Sequence, residues 1–344
     1  MAPASSEAAP RVPGPDPESQ YTSTYGAQCS PNETLVDADA WCCRKCGPVE
    51  ARADVTESSR RSEFLVDTAW LAGRLTDPAI RIVDVRGGIR PPSDPAPWYL
   101  ESREAYAAAH IPGAAYVGWL SDLVEPAAPV KMTMASPERF AAVMGRLGIG
   151  DQHLVVAYDD DGNHLAARLW FMLNHYGHGA VRLLDGGYPK WVAEGRPLSA
   201  ESPAHPPATF TPRIQPGWRV TAAEVRRALA ERTVRLVDSR TPAQFRGEIT
   251  RGQRPGRIPG AVNVPIERFW EGPYKAWRST AELQAAHEAA GVTPGARVIT
   301  YCNAGVSASV GLFALKVLGY QASSNYAGSW YDWEQDPSNP IEMG

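Results

Sequence analysis

The sequence predicts an α/β protein made of two tandem copies of one unit. Each copy is a parallel sheet flanked by helices, and an N-terminal tail without pattern precedes them. Three observations carry this prediction. Short β-branched runs alternate with amphipathic helical stretches, the pattern of a parallel sheet covered on both faces. Four sequence blocks occur twice, in the same order. A proline-rich stretch separates the two sets.

The chain has 344 residues. At roughly 150 residues per domain this suggests two domains and a surplus. The surplus is residues 1–60, which hold Pro, Ser, Ala and Glu with little periodicity and are expected to be disordered. Patterning starts at Phe64, and the first copy is expected over 61–197. It carries RIVDVR (81–86), AHIPGA (109–114), LVVAYDDDGNHLAARLWFML (154–173) and VRLLDGGYPKW (181–191). Residues 198–217 are the expected linker. Pro203, Pro206, Pro207, Pro212 and Pro216, with Pro197 just before them, exclude helices and central strands there. The second copy, 218–344, carries RLVDSR (235–240), GRIPGA (256–261), RVITYCNAGVSASVGLFALKVL (297–318) and SSNYAGSWYDW (323–333).

Within each copy, IRIVDV and VRLVDS read as buried parallel strands ending in Asp. SPERFAAVMGRLGI (136–149) and STAELQAAHEAAGV (279–292) read as helices, with a Ser cap, Glu in the first turn and Gly near the end. HLVVAYD and ARVITYC are the next strands, and a helix follows each within a few residues. Ligands of open α/β sheets sit beyond the carboxyl ends of such strands.

Composition narrows the function. The chain is 44% hydrophobic and 21% charged, with a formal net charge of −4. That balance argues against a nucleic-acid binder, which would show a basic excess. No apolar run reaches the length of a membrane span. The opening residues lack a secretory pattern, so a reducing, cytoplasmic setting is expected. Val55, just ahead of the patterned region, is a second candidate start. No cofactor is implied.

Five cysteines fall unevenly: Cys29, Cys42, Cys43 and Cys46 crowd the tail, and Cys302 stands alone. This excludes a disulfide-framed fold. Cys43-x-x-Cys46 has the spacing of half a zinc knuckle, but no second half accompanies it, so the four form only a weak metal candidate. Cys302 closes a strand just before a helix. A thiolate there would face free backbone N–H groups and the positive end of the helix dipole, and both favour negative charge. Gly305 lets the loop Asn303, Ala304, Gly305, Val306, Ser307 curl so that its N–H groups converge. The alternative is a buried structural cysteine. Aligning the copies places Tyr158-Asp159-Asp160-Asp161-Gly162-Asn163 on Tyr301-Cys302-Asn303-Ala304-Gly305-Val306. The glycine is kept; the thiol is not.

With these blocks in view, the sequence resembles the tandem rhodanese family of sulfurtransferases (thiosulfate or 3-mercaptopyruvate sulfurtransferases) over roughly residues 63–338. VDVR and VDSR, HIPGA and RIPGA, LLDGGYPKW and GSWYDW, and the loop CNAGVS carry the resemblance. It implies two rhodanese-like domains with only the C-terminal one catalytic. It implies that Cys302 takes sulfane sulfur from a donor, becomes a persulfide and passes the sulfur to cyanide or a thiol. Thiosulfate is the donor expected first and mercaptopyruvate second. A persulfide relay serving a sulfur-accepting partner protein, without fast turnover, is the alternative. A cysteine phosphatase would need a longer loop ending in Arg; Ala308 follows Ser307 here.

Departures bear on the substrate. Two basic residues after the cysteine go with thiosulfate in the family, and Gly-Ser with mercaptopyruvate. Asn303-Ala304 is neither. A substrate-clamping arginine of the family falls on Gln244. Arg246, Arg251, Arg254 and Arg257 are the candidate replacements, or else loop arginines in solvent. Ser307 is either a donor to the bound anion or the cap of the next helix. Asp84–Arg86 and Asp238–Arg240 are expected as structural ion pairs. His110 either faces the cleft or is a hydrogen-bonded core residue, and Trp330 and Trp333 either wall the pocket or hold the last helix.

Overall fold

A computed structural model describes residues 57–344, with side chains from residue 60. Residues 1–56 of the expected tail, with its four cysteines and the Val55 start, lie outside the described residues. Strands and helices alternate as expected. In chain order the strands are β1 (Leu65–Val66), β2 (Ile80–Asp84), β3 (Gly87–Ile89), β4 (Tyr99–Glu101), β5 (Ala114–Tyr116), β6 (Leu154–Tyr158) and β7 (Val181–Leu184). The second half supplies β8 (Arg219–Val220), β9 (Arg235–Asp238), β10 (Val262–Asn263), β11 (Trp270–Glu271), β12 (Ala276–Trp277), β13 (Val298–Tyr301) and β14 (Ser323–Tyr326).

The two main sheets are copies of each other. The first runs β1-β7-β6-β2-β5 and the second β8-β14-β13-β9-β10, with every pairing parallel. Buried detail repeats too. Arg86 pairs with Asp84 and Arg240 with Asp238, each Asp side chain fully buried. Tyr158 Oη accepts from the Ile111 N–H and Tyr301 Oη from the Ile258 N–H, both at 3.2 Å. These bonds tie the Ile-Pro-Gly turn to the strand that precedes the key loop.

The helices form where caps announce them. Ser136 caps Pro137–Arg146, and Ser279 with Glu282 forms a capping box on Thr280–Glu288. One helix precedes the patterned region: Glu57–Phe64 begins inside the expected tail. Tertiary contacts rather than periodicity hold it. Arg61 donates to the carbonyls of Trp277 and Arg278 and to Asp185, and Phe64 packs on Trp170 and Phe313.

The halves meet through the helices Ala166–His175 and Val306–Val317. Both are apolar around most of their circumference because each is covered by its own sheet and by the other helix. Trp170 meets Phe313 edge-on at 4.9 Å, inside one core that spans both halves. Each helix starts at the loop after β6 or β13, so packing them together brings the two loops to one cleft. Among the described residues no helix is long and apolar enough to cross a membrane.

Candidate active site

Cys302 directly follows β13 and is 2% exposed. The loop after it is held from below. The Cys302 N–H donates to Ser329 Oγ at 3.0 Å, and the carbonyls of Cys302 and Asn303 accept from the Trp330 and Tyr331 N–H groups. Gly305 has a φ of 75°, and a Cβ there would lie 2.5 Å from the Ala327 carbonyl oxygen. Only glycine combines that backbone with that contact. The helix Val306–Val317 then begins, with Gly305 at its cap and no side-chain capping bond. Its first N–H groups have no partner within the helix.

The equivalent loop of the first half shows what these N–H groups do. The Asp159 carboxylate is fully buried and accepts four of them. Oδ1 accepts from Asp161 (3.0 Å) and Asn163 (2.8 Å). Oδ2 accepts from Leu165 (2.7 Å) and Ala166 (3.0 Å). The turn is an anion cradle, and in this half its own side chain fills it.

Cys302 opens on a cavity of about 270 Å³ built by both halves. The second half supplies the Cys302–Ser307 loop, Arg240, Thr241, Gln244, Arg251, Trp270 and Lys275; the first supplies Pro91, Tyr99, Asp161 and His164. Tyr99 Oη and Tyr331 Oη are 2.9 Å apart across the halves.

The arginines separate. Arg251 reaches the cavity, packs near Tyr99 and Trp98, and donates through Nη2 to the Arg90 carbonyl. Its Nε and Nη1 are buried and have no partner. Arg246, Arg254 and Arg257 do not line the cavity. Arg246 is exposed and paired with Glu248. Arg254 is spent on the carbonyls of Asp336 and Asn339, and Arg257 on Glu342. The chain end folds back beneath the second half and takes up both, which a reading of the local GRIPGA stretch does not show. Gln244 lines the cavity and donates to Asn303 Oδ1 at 3.4 Å, so it positions the loop without adding charge.

His110 is fully buried, bonded to the Tyr106 and Glu201 carbonyls and stacked on Tyr106. Trp330 and Trp333 are core residues bonded to the carbonyls of Arg254 and Pro340. Ser307 does not cap the helix; its Oγ lies 2.8 Å from His164 Nε2 of the first half.

Sequence reasoning missed two cross-half contributors, and each left a signal. Arg168, 2% exposed, reaches under the Cys302 loop, where Nη1 donates to the Gly305 carbonyl at 3.4 Å. Among the described residues it makes no ion pair. Burial lowers its pKa to about 10, and the nearby Cys302 opposes that shift. A lone arginine inside LAARLWFML is the trace of this buried charge. His164 lies in the stretch aligned with the Cys302 loop, so a symmetric packing of the copies turns it toward the same cleft.

The sequence model of the rhodanese-like domain matches residues 67–194 and 221–336. The chain is 35% identical over 295 residues to a sulfur carrier protein, TtuD, of Thermus thermophilus, covering 82% of this chain and 97% of that one. It is 32% identical over 303 residues to a thiosulfate sulfurtransferase of Corynebacterium glutamicum, covering 84% and 93%. The crystal structure of the Escherichia coli 3-mercaptopyruvate sulfotransferase SseA superposes with a TM-score of 0.70 at 30% identity, covering 78% of this chain and 98% of that one. Two parallel-sheet domains joined around one cysteine loop define a tandem rhodanese architecture. This chain belongs to the rhodanese family of sulfurtransferases.

Proposed function

We propose that Cys302 is the sulfur-accepting nucleophile, that residues 218–344 form the catalytic domain, and that residues 61–197 form an inactive copy. The Cys302 thiolate attacks the donor's transferable sulfur, the bond that holds it breaks (S–S in thiosulfate, leaving sulfite; C–S in mercaptopyruvate, leaving pyruvate), and Cys302 Sγ–Sδ⁻ remains. The observation that carries this reading is the Asp159 cradle. An Asp Cβ–Cγ–Oδ and a cysteine persulfide Cβ–Sγ–Sδ extend by the same number of bonds. Where the first half places a carboxylate oxygen, the second would place the charged outer sulfur, before the N–H groups that align with the four donors to Asp159, those of Ala304, Val306, Ala308 and Ser309, within the loop that Asn303, Gly305 and Ser307 complete. Arg168 adds a cation behind the loop.

Thiosulfate is the donor we put first and mercaptopyruvate second. The unpartnered Nε and Nη1 of Arg251 suit the anionic end of either. Gln244 and the neutral Asn303–Ala304 pair leave little other free positive charge, so thiosulfate should bind loosely, with KM at or above about 1 mM. That same poverty of charge favours a second reading, in which a partner protein loads or unloads Cys302. The relative named as a sulfur carrier supports it. Acceptors are cyanide or a thiol.

Steady-state turnover with each donor, alongside intact mass for one added sulfur atom, tests both. Turnover with thiosulfate supports the first reading. A persulfide without turnover supports the second. Turnover that survives Cys302→Ser defeats both.

A further inference from the structure

One cluster in the cavity has no part in the chemistry described so far. His164 Nε2 lies 2.8 Å from Ser307 Oγ, and Nδ1 lies 3.5 Å from Asp161 Oδ2. Lys275 pairs with Asp161 Oδ1. The His164 side chain is only 9% exposed, beside the Trp270 ring. His164, Asp161 and Ser307 all line the cavity that holds Cys302. The hydrogen bond to His164, and then Lys275, holds the Asp161 carboxyl far below the usual carboxylate range despite burial. An ionised carboxylate, an imidazole and a hydroxyl therefore stand in line, the order in which a proton is drawn from the hydroxyl end. Ser307 is free for this because it does not cap its helix.

The chemistry says which half-reaction needs such a line. Loading from thiosulfate moves no proton: thiolate and thiosulfate give persulfide and sulfite. Delivery to a thiol does, because a thiol with a pKa of about 8.5 is mostly protonated at neutral pH. We propose that Ser307, backed by His164 and Asp161, removes the proton of an acceptor thiol during sulfur delivery, which makes a thiol the acceptor class this cavity is built for. The acceptor sulfur bonds to Sδ, and the Sγ–Sδ bond breaks. Cys302 leaves as thiolate, the acceptor leaves as a persulfide anion, and the acceptor proton passes by way of Ser307 to His164 Nε2. Ser307 meets the acceptor; His164 and Asp161 are positioning residues, with His164 holding the proton. This rests on the reading of Cys302 as a persulfide carrier.

The test uses the full chain, loaded with thiosulfate and freed of excess donor. Discharge of Cys302 is followed by intact mass with two acceptors, dithiothreitol and sulfite. At about pH 8 sulfite is mostly the dianion, with no proton to lose, while a thiol is still mostly protonated, so sulfite reports on access and on the sulfur itself. In His164→Gln the ratio of the dithiothreitol rate to the sulfite rate should fall by about 10²-fold, the scale of general base catalysis. Ser307→Ala, which removes a single oxygen at the cavity wall, should lower the same ratio similarly and serves if His164→Gln does not fold. A ratio equal to that of the unsubstituted protein, whether both rates fall together or neither falls, overturns the relay. Failure of Cys302 to gain sulfur at all overturns the persulfide reading instead.

Discussion

The Asp159 loop and the Cys302 loop share a preceding strand, a glycine with left-handed backbone and a following helix whose first N–H groups point inward. In the first half the acceptor is built in: four N–H groups close on the Asp159 carboxyl at 2.7–3.0 Å and pull against the burial that raises its pKa. In the second half the side chain stops at sulfur, and the same kind of cradle faces a cavity. The difference teaches that the turn is an electrostatic device first, and that the chemistry proposed for Cys302 builds on it. One copy uses it to hold a fold together; the other keeps it available.

The sharpest way to break this comparison is Cys302→Asp, which makes the second loop a copy of the first. Sulfur transfer should fall to background. The melting temperature should stay within about 2–4 °C of the parent, the shift that ~1 kcal/mol produces, because the carboxylate meets waiting donors and the Arg168 cation. Thermal unfolding checks this. A large loss of stability would mean that the loops are not electrostatic equivalents.

The reverse perturbation is Asp159→Asn. An amide can present an acceptor on one side only, and its NH₂ then faces two buried N–H groups. Each unsatisfied buried donor costs about 1–3 kcal/mol, so denaturant unfolding should show a loss of about 2–5 kcal/mol. A loss below ~1 kcal/mol would show that the carboxylate is not what the first cradle needs.

These two loops also show what the sequence makes legible. The repeat, the alternation of strands and helices, the Ser caps at Ser136 and Ser279 and the position of Cys302 follow from local pattern. The first and last depend on spacing and backbone geometry, which sequence encodes directly. The ribbons β3–β4 and β11–β12 were not visible, since two- and three-residue pairings leave no period to detect. The arginine candidates divide for a related reason: Arg251 reaches the cavity and the others do not. Arg254 is bonded to the carbonyls of Asp336 and Asn339 and Arg257 is paired with Glu342, all distant in sequence, and no local rule announces that return. Arg168 and His164 act across the halves, so each half read by itself hides them.

Acid should separate the halves. Burial lowers the pKa of His153, His175 and His178 in the first half, His175 to about 4 from 6.5. In the second half, burial lowers that of His287. A folded state that keeps histidine neutral is stabilised by it above the unfolded pKa. That contribution drains away as pH falls from 6.5 toward 4, because the unfolded chain takes up the proton first. With three such groups against one, the first half should lose protection earlier. Amide hydrogen exchange resolved by peptide at pH 7, 6 and 5 checks this; simultaneous loss in both halves would assign the acid transition elsewhere.

The smallest contrast lies where the last short helix meets the loop. In the first half Gly187 takes a φ of 55° and has no side chain to offer. In the second half Ser329 takes nearly the same φ, 53°, and accepts the Cys302 N–H while donating to the Tyr326 carbonyl. A left-handed backbone costs a non-glycine residue roughly 1–2 kcal/mol. The hydroxyl offsets that by satisfying the one buried N–H of Cys302 that points away from the cavity. Ser329→Gly therefore relieves strain and loses a bond, with a net change of about 1 kcal/mol or less. Ser329→Ala keeps the strain and still loses the bond, so it should cost more, about 1–3 kcal/mol. Unfolding free energies in the order parent, Gly, Ala would place the value of Ser329 in its hydroxyl. If Ala matches the parent, the Cys302 loop does not depend on that bond, and its other contacts to Trp330 and Tyr331 hold the second cradle.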